Sequence, residues 1–200
     1  MRFSRLLGLV PACLVGLMSI GQARHSHAEE VAPASTRRIE TGIALRFMPV
    51  GWFDLADASN RHGFRAYPAL GIAPFVDYRI HRYFSVGFSP EITLNVIPNR
   101  SDYVVGKMFV ADARLQARYP NQSRFEPYGI VTGGYSVIWR DGIGSAEGPT
   151  VGGTVGCRVK LGQRHAIFGE IGYQKGFQTA DGGAYGPSYL ITSVGWQVAF

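Results

Sequence analysis

The feature that most constrains the fold of this chain is an alternation of apolar with small or polar residues. It is clearest over 84–96, where Phe84, Val86, Phe88, Pro90, Ile92, Leu94 and Val96 occupy one set of alternate positions. Neighbouring residues of a β-strand lie on opposite faces, whereas a helix would spread the same residues around its circumference. The pattern therefore predicts a strand with one apolar face.

The same alternation recurs along the chain and predicts eight strands. They cover residues 39–48, 67–78, 84–96, 108–119, 127–139, 150–161, 166–177 and 188–200. The Gly-rich segment 127–139 does not reveal which of its residues share a face. A tilted strand needs about 9–11 residues to cross a bilayer, whereas ordinary soluble strands have about 5–6. Strand length therefore favours a transmembrane β-barrel over a soluble β-sandwich.

The connections between the predicted strands alternate in length. Short ones fall near 79–83, 120–125 and 162–165, and longer ones rich in Gly, Asp, Asn and Pro fall near 49–66, 98–106, 140–149 and 179–187. This alternation is typical of all-β, antiparallel, up-and-down transmembrane barrels with short periplasmic turns and longer outer loops. An even number of strands then places both ends of the barrel in the periplasm.

The charged residues of the predicted strands fall on the small or polar face. They are Glu40, Arg46, Asp77, Glu91, Asp112, Arg114, Arg118, Arg158, Lys160 and Glu170. An Arg or Lys at the bilayer midplane costs about 2–4 kcal/mol, so the apolar face should meet lipid and the polar face the lumen. Equal numbers of acids and bases predict a paired charge network inside the barrel. The alternative is an anion-selective constriction formed by Arg114, Arg118, Arg158 and Lys160.

A soluble, ligand-binding barrel would show the same alternation with the inside and the outside exchanged. Two features favour the membrane barrel instead. The small residues Gly42, Ala44 and Gly71 suit a narrow lumen. Aromatic residues such as Tyr119 and Trp139 lie near strand ends, where the interfacial girdles of membrane barrels form.

The first 28 residues have the features of a cleaved signal peptide. Arg2 and Arg5 precede the apolar stretch 6–20, which is too short for a stable membrane anchor. Small residues follow, and cleavage after Ala23 or after Ala28 fits; we take Ala28. Residues 29–38 then form a short periplasmic leader and 39–200 the outer-membrane barrel. Cys13 leaves with the signal, so no intramolecular disulfide is expected.

The last strand carries the most specific resemblance to a known family. Leu190, Val194, Trp196, Val198 and Phe200 alternate up to the terminal residue, and 118–135 reads as a periplasmic turn leading into a barrel strand. The chain thereby resembles the small, eight-stranded, OmpA/OmpX-like outer-membrane barrels, without a peptidoglycan-binding domain. The resemblance implies the outer membrane of a Gram-negative bacterium. It also implies contact with that membrane's lipids, and recognition of the last strand, through Val194, Trp196, Val198 and Phe200, by the barrel-assembly machinery.

Motifs that carry chemistry are few. A lipid A deacylase of this membrane would carry a His-x-Ser motif, but none of His62, His81 and His165 has a serine two residues after it. No catalytic residue, metal site or cofactor is predicted, and the singly spread basic residues give no support for nucleic-acid binding. We therefore expect a non-enzymatic barrel with a structural or surface-interaction role, its loops contacting an unidentified extracellular ligand. The alternatives are a narrow pore for ions or small solutes and a membrane-lipid-modifying barrel enzyme.

Overall fold

The computed structural model describes residues 38–56, 61–66, 68–99, 102–140, 144–180 and 183–200. The predicted signal peptide (1–28) and all but the last residue of the predicted leader (29–38) lie outside these residues. The strands are β1 Ile39–Ala56, β2 Arg61–Ala66, β3 Ala69–His81, β4 Phe84–Asn99, β5 Asp102–Arg118, β6 Phe125–Arg140, β7 Gly144–Lys160, β8 His165–Gly176, β9 Gln178–Ala180 and β10 Gly183–Ala199. No helix in the described part of the chain is long and apolar enough to cross a membrane.

Eight long strands form a closed antiparallel barrel in the order β1-β3-β4-β5-β6-β7-β8-β10. Pairing of β1 with β10 closes it, from Glu40 opposite Ala199 to Ala56 opposite Ala184. The short β2 pairs with the far half of β1, and β9 pairs with the start of β10. Closure provides the eight long strands with hydrogen-bonding partners on both sides in the body of the barrel. The predicted fold class is confirmed.

The two ends of the barrel differ in their connections. At the end that holds Ile39 and Phe200, here called the terminal end, the backbone amide of Phe200 donates to the carbonyl of Ile39 at 2.8 Å. At the opposite end, here called the hairpin end, the strands extend well into the segments predicted as longer loops. Pairing with the neighbouring strands accounts for this extension, because it provides hydrogen-bonding partners for the backbone N–H and C=O groups of these segments. Their turn-forming composition alone does not predict such pairing.

Side-chain burial alternates along the barrel strands. In β3 the positions from Ala69 to Asp77 alternate strictly between buried and exposed. Leu70 and Ile72 expose 65% and 49% of their surface to the outside. In β6, whose faces the sequence does not reveal, Val131 lies outside and Ile130 inside. The outer wall is therefore a band of exposed apolar side chains.

The interior of the barrel is filled by side chains. A cluster near the terminal end consists of Ala44, Ala73, Phe75, Tyr128, Ile130 and Phe168. A cluster further toward the hairpin end consists of Met48, Phe53, Ala69, Met108, Val110, Ile138, Ala146, Tyr185, Tyr189 and Ile191. Gly42 and Gly195 make room for Phe75 and Phe168, because a Cβ at either glycine would collide with the facing ring.

Candidate functional site

The centre of the charged interior is Glu40 on β1, whose side chain is almost completely buried. Arg118 of β5 donates to both of its carboxylate oxygens, at 2.7 and 3.0 Å. Arg158 of β7 donates at 3.2 Å and the amide of Gln197 of β10 at 2.7 Å, and Arg79 of β3 also pairs with it. One carboxylate therefore joins five strands across the lumen.

A second acid, Glu126, shares the same cations. Its Oε2 lies 2.9 Å from Nζ of Lys160, and its Oε1 lies 3.4 Å from Nε of Arg158 and 3.9 Å from Nη1 of Arg118. Sequence reasoning missed Glu126 because the predicted strand began one residue later, at 127. Glu126 has the same parity as Tyr128 and Ile130, which are both buried, but the glycines of this segment hide that parity in the sequence. It also missed Arg79, which precedes the turn between β3 and β4.

Two separate ion pairs lie elsewhere in the lumen. Arg46 of β1 pairs with Glu91 of β4, and Thr93 donates to the other oxygen of that carboxylate at 2.7 Å. Nε of Arg114 lies 3.2 Å from Asp77, with the guanidinium 4.4 Å from the centre of the Phe75 ring.

The remaining two predicted members have neutral partners. Asp112 accepts from the hydroxyl of Thr150 at 3.0 Å and from the amide of Gln174 at 3.3 Å. Glu170 accepts from the hydroxyls of Tyr128 and Ser193, at 2.8 and 2.9 Å. The structure thus places all ten predicted residues toward the lumen, eight of them in ion pairs. Equal numbers of acids and bases could not indicate which carboxylates would receive hydroxyl and amide donors instead.

These contacts occupy the lumen. The side chains of Glu40, Arg118 and Arg158 expose 1%, 2% and 5% of their surface. Lys160, nearest the terminal end, exposes 37%. Buried charges are tolerated only when they are paired and hydrogen-bonded, because the loss of hydration must be offset. The arrangement can hold opposite walls together, and its cations are engaged by acids instead of lining a free passage.

Toward the hairpin end the interior is aromatic. Phe53, completely buried, stacks on Tyr185 with 5.0 Å between ring centres and contacts the edge of Tyr189 at 5.8 Å. Gln178 donates to the hydroxyl of Ser136 at 2.6 Å in the same half of the barrel. The ion pairs and this aromatic group therefore fill successive levels of the lumen.

The residues of the predicted assembly signal lie on the last strand and at its end. Val194, Trp196 and Phe200 are exposed on the outer wall, at 63%, 47% and 64%, and Val198 is half-buried. Trp196 stacks on His165 with 5.4 Å between ring centres, and His81 packs beside Tyr83. Among the described residues, no group of three His, Cys, Asp or Glu side chains could hold a metal ion.

Comparison with known proteins agrees with this architecture. No family model matches the chain, and no curated protein sequence matches it significantly. Among solved structures, OprG from Pseudomonas aeruginosa aligns with a TM-score of 0.58 and 12% identity over 81% of this chain and 94% of that one. Neisserial surface protein A aligns with a TM-score of 0.54 and 13% identity over 80% of this chain and 97% of that one. AlkL, whose structure was solved in lipid bilayers, aligns with a TM-score of 0.53 and 15% identity over 88% of this chain and 97% of that one. At these identities the likeness concerns the fold, and this chain folds as a small eight-stranded β-barrel of the outer-membrane type.

Proposed function

We propose that the protein is a non-enzymatic barrel of a Gram-negative outer membrane. In this proposal its lumen is closed to solutes, and it acts as a structural or surface-interaction protein through its hairpin end. The observation that carries the proposal is the junction at Glu40, by which we mean Glu40 together with Arg79, Arg118, Arg158 and Gln197. A carboxylate bound to cations from three other strands blocks the passage that a pore would need.

Location in a bilayer is supported by the outer wall. Leu70, Ile92 and Val155 expose 65%, 63% and 63% of their surface, and similar side chains surround the barrel. A soluble monomer rarely exposes contiguous apolar patches larger than a few hundred Å². Lipid tails would cover such a wall. The exposed alternate residues up to Phe200 support the further proposal that the barrel-assembly machinery recognises this strand.

A role at the surface is supported by the length of the strands. β1 has 18 residues and β5 has 17, whereas crossing a bilayer takes about 9–11. The excess extends the hairpin end beyond the membrane as paired strands. Exposed charged groups there, such as the Asp54–Lys175 pair at 2.9 Å, suit contact with water and with a polar partner.

An enzymatic role finds little support among the described residues. His165 is engaged with an indole ring and His81 with a phenol ring. A nucleophile needs a base within hydrogen-bond reach, and that base needs a third group to orient it. Neither histidine has a serine and an acid placed in this way among the contacts described above.

Single-channel recording in a planar bilayer tests the proposal against the narrow pore. Gel mobility before and after boiling shows that the refolded barrel is intact. We expect no steady openings from the folded protein, and new conductance from a Glu40→Ala/Arg118→Ala variant, which removes the junction. Steady, ion-selective openings of the unaltered protein would refute the closed lumen and make transport the leading function.

A further inference from the structure

The outer wall is not uniform, because a shallow apolar groove crosses it from β4 to β10. It has a volume of about 600 Å³ and is lined by Phe84, Ala117, Gly129, Gly153, Ile171 and Tyr173 among others. We call it the outer groove.

The groove exists because small residues face outward in this part of the wall. Ala117 is opposite Gly129, and Gly153 is opposite Val131. A Cβ added at Gly129 would meet no atom nearer than 3.8 Å, and one added at Gly153 none nearer than 3.5 Å. These glycines are therefore not required by packing, and the space they leave open is bordered by bulky apolar side chains.

The terminal end of the barrel, where the groove begins, presents cations. The exposed charged side chains of described residues 38–41, 79–84, 118–125, 160–166 and 198–200 belong to Arg38, Arg82, Arg124 and Arg164. The acids of these segments and of the start of β6, Glu40 and Glu126, are buried in the lumen. The free charge of this end is consequently positive.

Arg82 is the exposed cation nearest in sequence to a residue that lines the groove. It lies two residues before Phe84, which lines the groove, and its guanidinium is 4.6 Å from the centre of the Tyr83 ring. The carbonyl of Tyr83 accepts from the amide of Arg118 at 2.8 Å. This bond fixes the Arg82 turn against the end of β5, whose following turn carries Arg124.

We propose that the outer groove binds an acyl chain of an anionic phospholipid whose phosphate is held by Arg82, with Arg124 as the neighbouring cation. This inference rests on the proposed bilayer location. An apolar groove inside the lipid-facing wall needs a hydrocarbon occupant. The adjoining guanidinium groups select a negatively charged headgroup, because arginine donates in a fork that matches phosphate oxygens.

Native mass spectrometry of the refolded barrel in detergent tests the inference. The probes are phosphatidylglycerol and phosphatidylcholine with the same two oleoyl chains. Heat-dependent gel mobility and insertion into liposomes, measured separately, report on the proposed bilayer location. A folded, inserted barrel that does not retain lipid would therefore refute this inference alone.

Each variant has a matched control. Gly153→Leu fills the groove, whereas Gly133→Leu adds the same side chain to the outer wall outside the residues that line it. Arg82→Gln removes a cation at the groove, whereas Lys107→Gln removes an exposed cation of β5 away from it.

We expect bound phosphatidylglycerol to exceed phosphatidylcholine, and Arg82→Gln to weaken its binding about fivefold, since a basic residue near an anionic lipid surface contributes about 1 kcal/mol. Gly153→Leu should lower the occupancy of both lipids, with both controls unchanged. Equal retention of the two lipids, or equal loss in variants and controls, would overturn the proposal. So would a dimer that Gly153→Leu abolishes, because the groove would then be a contact between two barrels.

Discussion

Replacing Glu40 by Gln tests whether the lumen network stabilises the barrel. The carboxylate bonds Arg118 at 2.7 and 3.0 Å and Arg158 at 3.2 Å. The substitution leaves two buried guanidinium groups short of negative charge. Removing one partner of a buried ion pair costs about 3–5 kcal/mol. Because Glu126 remains 3.4 Å from Arg158, we expect the lower end, about 3 kcal/mol.

Guanidinium-induced unfolding in detergent micelles, followed by tryptophan fluorescence and by gel mobility, measures this loss. Glu170→Gln is the matched control, since Glu170 faces the same lumen but accepts from two hydroxyls. The glutamine oxygen can still accept from one of these hydroxyls, and the amide nitrogen can donate to the oxygen of the other, so the control should lose about 1 kcal/mol or less. An equal loss in the two variants would refute the view that charge pairing at Glu40 holds the walls together.

A double variant measures how much of the stability depends on the interaction between Glu40 and Arg118 and how much on each residue separately. Arg118→Gln alone should destabilise the barrel, because Glu40 loses its bidentate partner. Combined with Glu40→Gln, it should cost less than the sum of the two single changes, since contacting residues couple by about 0.5–3 kcal/mol. Additive losses would show that the two residues act independently.

Two further substitutions test the facing of the strands. Val194→Arg puts a charge on the outer wall at a position that is 63% exposed, where an Arg at the bilayer midplane costs about 2–4 kcal/mol. It should therefore lower the yield of heat-modifiable barrel in membrane fractions, while Gln122→Arg in a turn should leave that yield unchanged. Gly42→Ala places a methyl group against the Phe75 ring inside the barrel and should cost about 1–3 kcal/mol in unfolding. Gly169→Ala, whose added methyl faces outward with no atom nearer than 3.9 Å, should cost less; the reverse order would contradict the facing.

The strands could be predicted because their signal is local. Alternation over 84–96 reflects a wall between two different environments, and strand geometry translates the period directly into two faces. The same reasoning did not work for 127–139, where outward Gly129 and Gly133 remove the contrast between the faces. Only the pairing of β6 with β5 and β7 assigns its sides.

The ends of the strands could not be predicted from the sequence as well as their positions. Segments such as 140–149 are rich in turn-forming residues, yet β7 begins at Gly144 and pairs with β6 from there. Pairing between distant parts of the chain, as between Leu55 and Tyr185, continues the ladder despite weak local preference. Strand propensity depends on neighbours, so composition alone underestimates how far a hairpin extends.

The sequence by itself determined that the strands have one apolar and one charged face, because both follow from residue parity along single strands. Strand length and the aromatic strand ends then favoured a membrane barrel with the apolar face outside. Only the tertiary structure decided which charges meet. Glu40 and Arg158 are far apart in sequence. They become partners only because the closed sheet places β1 and β7 across the lumen from each other, with their side chains within hydrogen-bond distance. The outer groove, built from side chains on several strands, likewise required the registers of those strands.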